Sequence, residues 1–313
     1  MRALLSLRAL LDRPGLARRT ALASLAANVG IVITGGVVRL TGSGMGCPTW
    51  PRCDPNSLVP TKALGYHGVI EFANRTLISV VGGLAIACLV LAAIQLPRRA
   101  DRLRWAGAVL AGIAAQAIVG GVTVHTVLNP WLVSVHFLLS MAVLAAAYRF
   151  WVLTRPPGGA PAIPVAPRIR ALAWLVIVVA AVVLVVGTVV TGSGPHAGDA
   201  NAARTGLDPG AVAQLHADLV MLLIGLSVAL WLLAPAALRR AAGVLVGIEL
   251  AQGAVGFAQY FTHVPALLVG VHMAGACAVW LAALAVPAAV ATPDTKAARA
   301  GTRAAADKDA IRT

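Results

Sequence analysis

Residues 171–191 read ALAWLVIVVAAVVLVVGTVVT, without a single charged side chain. In water such a run would have to be buried on every side. In a bilayer it is an ordinary spanning helix, because about 20 apolar residues reach across the hydrocarbon core. Seven further runs have the same character, at roughly 20–40, 69–95, 105–124, 131–153, 212–234, 241–260 and 266–290. The composition agrees: of 313 residues 59% are hydrophobic and only 12% charged, where a soluble domain carries about 25% charged residues. The predicted fold is an all-α membrane protein of eight transmembrane helices. The first run follows a basic stretch but has no short apolar segment with a small-residue cleavage site, so it reads as a retained helix.

The net charge of +14 raises the question of a nucleic-acid partner, and its distribution answers it. Basic residues gather before the first run (Arg2, Arg8, Arg13, Arg18, Arg19), in the second connection (Arg98, Arg99, Arg102, Arg104) and around the fourth (Arg149, Arg155, Arg168, Arg170). Others lie in the sixth (Arg239, Arg240) and in the tail from Lys296 to Arg312. These connections all fall on one side of the membrane. The positive-inside rule makes that side cytoplasmic, places both termini there, and predicts a multi-pass cell-membrane protein. The charge is a topology signal and not a nucleic-acid footprint.

The chain also repeats itself. GGVVRLTGSG (35–44) is echoed by GTVVTGSG (187–194), GIAAQAIVGG (112–121) by GIELAQGAVG (247–256), and NPWLVSVH (129–136) by VPALLVGVH (264–272). Four helices per repeat is an even number, so the halves share an orientation, which predicts tandem four-helix bundles about a pseudo-two-fold axis along the membrane normal. The expected division is an N-terminal half (1–154), a cytoplasmic linker (155–170) opening with RPPGGAPAIPVAP, whose prolines cannot continue a helix, a C-terminal half (171–291), and a polar tail (292–313) expected to be disordered.

All seven histidines fall near the predicted outer face. His67 precedes the second helix, His125 ends the third, and His196 and His263 lie in connections. A lone histidine at a helix end is an interfacial residue satisfied by water, and His125, His196 and His263 are read so. His136, His216 and His272 differ, because each lies early in an even-numbered helix. His216 and His272 share a depth on two helices, the arrangement needed for axial ligation of a heme iron inside a bundle. Small residues beside them (Ala213, Ala217, Gly270, Ala274, Gly275) are expected to let a flat macrocycle approach. Zinc or copper would want further ligands, and no cysteine or carboxylate is placed with these two. In the first half, aligning HGVIEFANR with VAQLHAD puts Asn74 opposite His216. Glu71 and Arg75, four apart, share a helix face with Asn74 and His67 nearby. Ionisable groups inside an apolar helix are costly and point to function.

Cys47 and Cys53 lie in GSGMGCPTWPRCDP, the first outer connection, where thiols can oxidise and the short spacer permits closure. A loop staple and a redox-active pair both remain open. Cys88 and Cys277 lie within helices and read as buried thiols. The second-half loop, with PHAGD, has no cysteine and reads as a solvated connection.

Together the TGSGMGCPTWPRC loop, EFANR, NPWLVSVH, TGSGPHAGD and the histidines of helices 6 and 8 resemble the heme A synthase family over about residues 20–290. The resemblance implies oxidation of the C8 methyl of heme O to a formyl group by successive hydroxylations, with water supplying the oxygen, to give heme A for terminal oxidases. It implies heme b in the C-terminal half on His216 and His272, and substrate heme on His136. Glu71 would be the catalytic carboxylate, with Arg75 and Asn74 beside it, and Cys47 and Cys53 the outer-loop disulfide. Heme O synthase and terminal oxidase assembly factors are the implied partners, beside membrane lipid; a homo-oligomer stays open. Many members have Glu-x-x-His-Arg on helix 2, where this chain has Glu71-Phe72-Ala73-Asn74-Arg75, which leaves the substrate iron to His136 alone or with another group such as His67. The alternative is a diheme b-type cytochrome acting only in electron transfer, which leaves Glu71 and Arg75 idle. No mid-membrane polar path suggests a transporter, and the Asp-rich magnesium–pyrophosphate motifs of the upstream farnesylating enzyme do not occur.

Overall fold

The computed structural model describes residues 14–95, 99–155 and 165–289. The predicted disordered tail and most of the Pro-rich linker lie outside the described residues. Among these residues the secondary structure is helical, with eight helices long and apolar enough to cross a membrane. They are α1 (Pro14–Leu40), α2 (Gly65–Ile94), α3 (Ala100–His125), α4 (Pro130–Leu153), α5 (Pro167–Ser193), α6 (Pro209–Leu233), α7 (Ala236–Phe261) and α8 (Ala266–Ala289).

Several helices begin about a turn before their apolar runs, and α4 and α6 carry side-chain caps at their starts. Asn129 caps α4 by accepting from the Trp131 N–H at 3.0 Å, with Pro130 in the first turn. Asp208 caps α6 by accepting from the Ala211 N–H at 2.7 Å, followed by Pro209. A cap acceptor and a proline at the first helical position satisfy or remove backbone donors that have no partner there. α2 starts at Gly65 without a side-chain cap, so His67 lies within the helix and not before it.

Sequential helices pack as hairpins, and α1, α4, α5 and α8 meet in the middle: α1 touches α4 and α8, and α4 touches α5 and α8. The α2–α3 and α6–α7 hairpins flank this centre. Leu144, Leu223, Leu230, Leu245, Val176 and Val286 are fully buried in the main core. Trp280 of α8 donates its indole N–H to the Met141 carbonyl of α4 at 2.9 Å, tying the halves together. Outward faces keep large apolar side chains such as Ile118, Val178 and Leu232 exposed, as a lipid-facing surface requires.

The turns leading into α4 and α8 are built alike. Each carries two consecutive residues in the left-handed region, Val127 and Leu128 (φ 50° and 56°) and His263 and Val264 (φ 60° and 59°). In each, a threonine hydroxyl returns to the preceding helix, Thr126 to Val122 and Thr262 to Ala258. Bulky residues adopt this conformation only where the surroundings impose it. Here it turns the chain in four residues and sets where the next helix starts.

The loops at this end interlock. Gly44 N–H donates to the Gly198 carbonyl at 2.8 Å. Arg39 donates to the carbonyls of His196 (2.6 Å) and Thr191 (2.9 Å). His196 Nε2 donates to the Val264 carbonyl at 2.9 Å. The PHAGD segment, expected to be a solvated connection, is therefore a knot between the halves. The sequence hides this because the acceptors are backbone carbonyls.

Candidate functional site

In the C-terminal half, His216 and His272 lie in the second turns of α6 and α8, and the structure brings their rings together edge to face. Their ring centroids are 6.5 Å apart with planes at 65°. A glycine of the preceding helix backs each ring: a Cβ on Gly187 of α5 would stand 3.1 Å from His216 Cε1, and one on Gly256 of α7 3.4 Å from His272 Cε1. The Nδ1 atom of His272 is buried without a partner, and a buried polar atom left unspent in this way asks for an explanation. Metal–nitrogen bonds of about 2 Å on each side, plus roughly 1 Å from each nitrogen to its ring centre, put two axial imidazoles about 6 Å apart between centroids. The observed separation fits that arrangement. Among the described residues no three His, Cys, Asp or Glu side chains converge; two imidazoles at this spacing could hold an iron whose other bonds come from a macrocycle.

Gln252 of α7 donates to the His272 carbonyl at 2.7 Å, fixing α8 at the level of the imidazole. Gly275 makes room for that amide, since a Cβ there would fall 1.9 Å from Gln252 Oε1, while Gly270 faces Leu40 of α1. Those two glycines, expected to admit a macrocycle, instead admit protein side chains. The glycines that face the imidazoles are on the neighbouring helices.

The N-terminal half repeats the scaffold with different chemistry. His136 lies in the second turn of α4, and a Cβ on Gly120 of α3 would stand 3.2 Å from its Cε1. Gln116 donates to the His136 carbonyl at 3.0 Å and also bonds Ser140. Asn74 sits near Gly35, with a separation of 3.9 Å to a Cβ placed there, and accepts from Thr34 of α1 at 2.7 Å. Gln116 and Gln252 escaped the sequence reading. Their signal was the shared Gln-x3-Gly of AQAIVG and AQGAVG, whose four-residue spacing puts the amide and the histidine-facing glycine on one helix side.

Glu71 and Arg75 do share a face of α2 and meet each other. Glu71 is 6% exposed; its Oε1 accepts from Arg75 Nε at 3.0 Å and also from Nη2, and its Oε2 accepts from the Cys47 N–H at 2.7 Å. Arg75 spends its other donors on the carbonyls of Thr49 (2.8 Å) and Cys47 (2.9 Å). Cys47 and Cys53 form a disulfide with Cα atoms 4.3 Å apart. The Glu71–Arg75 pair thus grips the disulfide loop from below, while Trp50 of that loop packs on Gly121 of α3. Asn74 turns away from this pair toward α1. His67 stacks on Tyr66 at 4.0 Å and lies 2.9 Å by Nδ1 from Ser43 Oγ. His125 and His263 are exposed, as the interfacial reading expected, and Cys88 and Cys277 are buried thiols.

The family model of the cytochrome oxidase assembly proteins (COX15-CtaA) matches residues 18–200, which contain the Cys47–Cys53 loop, Glu71, Arg75 and His136. The chain belongs to this family. Together with the eight apolar helices, membership makes it a multi-pass membrane protein. Curated relatives include a heme A synthase of Exiguobacterium sibiricum, 29% identical over 130 residues, covering 41% of this chain and 43% of the relative. A heme A synthase of another Exiguobacterium strain is 30% identical over 117 residues, 37% of this chain and 38% of the relative. One of Geobacillus kaustophilus is 30% identical over 108 residues, 34% of this chain and 32% of the relative. Each match thus spans less than half the length of the curated relative.

Proposed function

We propose that this member of the cytochrome oxidase assembly family is a heme A synthase, oxidising the C8 methyl of heme O to the formyl group of heme A. The observation that carries the reading is the unequal chemistry of two like scaffolds. One half holds an adjacent pair of half-buried imidazoles; the other holds one imidazole with a buried carboxylate paired to a half-buried guanidinium. The names of the relatives agree with this.

In this reading His216 and His272 hold heme b in the C-terminal half, and bound heme b supplies a one-electron redox centre there. His136 holds the iron of the substrate in the N-terminal half, with Asn74, not a second imidazole, on α2. Gln116 and Gly120 fix the depth and orientation of the His136 ring. Each hydroxylation of the methyl takes its oxygen from one water and gives up two electrons and two protons; loss of water from the resulting geminal diol leaves the formyl group. Glu71 is the group that takes up protons as water adds, and Arg75 holds its carboxylate in one rotamer. The disulfide loop, bonded to both, closes the site on the side of the TGSG turns. That side is extracytoplasmic, with both termini cytoplasmic, by the distribution of arginines.

The test is expression in a host that makes heme O but no heme A, followed by heme extraction and chromatography. The wild-type chain is expected to yield heme A, and Glu71→Ala to yield none while keeping a low-spin b spectrum. Wild-type membranes with that spectrum but only heme O would leave an electron-transfer cytochrome. Heme A at the normal rate from Glu71→Ala would remove Glu71 from the chemistry.

A further inference from the structure

Glu249 sits at the middle of α7 and is 3% exposed. Its Oε1 accepts from Ser227 Oγ of α6 at 2.9 Å, and its Oε2 is buried with no partner. Among the described residues the ion pairs are Glu71–Arg75 and Asp101–Arg99, so no cation balances it. A carboxylate at the centre of a spanning helix is expensive and marks proton or ion chemistry by default. Nothing in the proposed reaction uses it.

α7 packs against α6 and α8. The other ionisable side chains of these three helices are Arg239, Arg240 and Tyr260 on α7, His216 and Asp218 on α6, and His272 and Cys277 on α8. Arg240 on α7 and Asp218 relative to Ser227 on α6 are each nine residues away, about 14 Å along a helix. His216 is eleven residues from Ser227, about 16 Å along α6, and the shorter link to the imidazole pair runs through α8. Gln252, three residues beyond Glu249 on the same side of α7, is the residue bonded to the His272 carbonyl. In low dielectric a lone negative charge is penalised unless a positive one stands near. A ferric iron in a porphyrin carries one net positive charge more than a ferrous one.

We propose that Glu249 is a redox-linked proton site: it takes up one proton from the aqueous phase as one electron reaches the iron held by His216 and His272, and releases it as the electron leaves. The pair then changes no net charge inside the membrane. The electron comes from the substrate methyl in the proposed reaction, or from dithionite in the test. The inference rests on the bis-imidazole reading of the C-terminal half.

Redox titration of the b band in purified full-length protein, repeated across pH, tests it. Wild-type protein is expected to show a midpoint potential that falls with pH, up to the 59 mV per tenfold change in proton concentration that one proton per electron allows. Glu249→Gln is expected to lose at least half of that slope. The reduced-minus-oxidised infrared spectrum should gain the carbonyl band of a protonated carboxyl group, absent in Glu249→Gln. Should Glu249→Gln fail to retain heme, Ser227→Ala, which keeps the carboxyl but removes its donor, is expected to displace that band. An unchanged slope in Glu249→Gln, or an unmoved band in Ser227→Ala, overturns the inference and leaves the heme site standing. A wild-type protein with no low-spin b spectrum overturns both.

Discussion

In the C-terminal half His216 and His272 meet edge to face with ring centroids 6.5 Å apart; in the N-terminal half the alignment sets His136 against Asn74, which Thr34 occupies at 2.7 Å. Around these residues the parts recur. A glycine backs each imidazole, a glutamine bonds the carbonyl of His136 and of His272, and a left-handed pair precedes α4 and α8. The scaffold that positions a ring has been kept in both halves, and what it positions has diverged. Only the first half has a stapled loop and the Glu71–Arg75 pair beneath it. Only the second has a lone carboxyl in the heart of a helix hairpin. Placement is cheap to duplicate because it depends on small residues and backbone acceptors. Reactivity depends on a few side chains that can change without unsettling the fold.

The comparison can be broken at its functional end first. His136→Ala is expected to abolish heme A formation while leaving the b spectrum at full intensity; loss of that spectrum would mean that the halves do not hold separate hemes. A smaller effect is expected at the shared glutamines. Gln252→Leu should weaken retention of heme b by about tenfold, the lower range for losing a partner that orients a metal ligand. Gln116→Leu should slow conversion and leave the b spectrum unaltered. Equal effects of both variants on that spectrum would contradict the division of labour. Smaller again is the staple: Cys47→Ser opens a short loop and should cost about 2 kcal/mol, read as a lower thermal midpoint with the b spectrum intact.

The helices were legible in the sequence because spanning a bilayer demands long apolar runs, and the histidine pair because imidazoles stand out inside them. The Glu71–Arg75 contact followed from a four-residue spacing. Gln116 and Gln252 left a trace in the shared Gln-x3-Gly, but their partners are main-chain carbonyls that no residue identity reveals. For the same reason the Arg39 and His196 bonds that knot the loops could not be read. Gly275 misled: a glycine beside a ligand helix looks like space for a macrocycle, and the space is taken by the Gln252 amide. Whether a glycine admits a ligand or a neighbour depends on the helix opposite, which only packing supplies.

Heme retention by His216→Ala and His272→Ala, each purified and examined by visible spectroscopy beside the wild-type chain, bears most directly on this account. Both variants are expected to lose the low-spin b-type spectrum that the wild type shows. A low-spin spectrum surviving in either one would mean that these two rings do not share an iron.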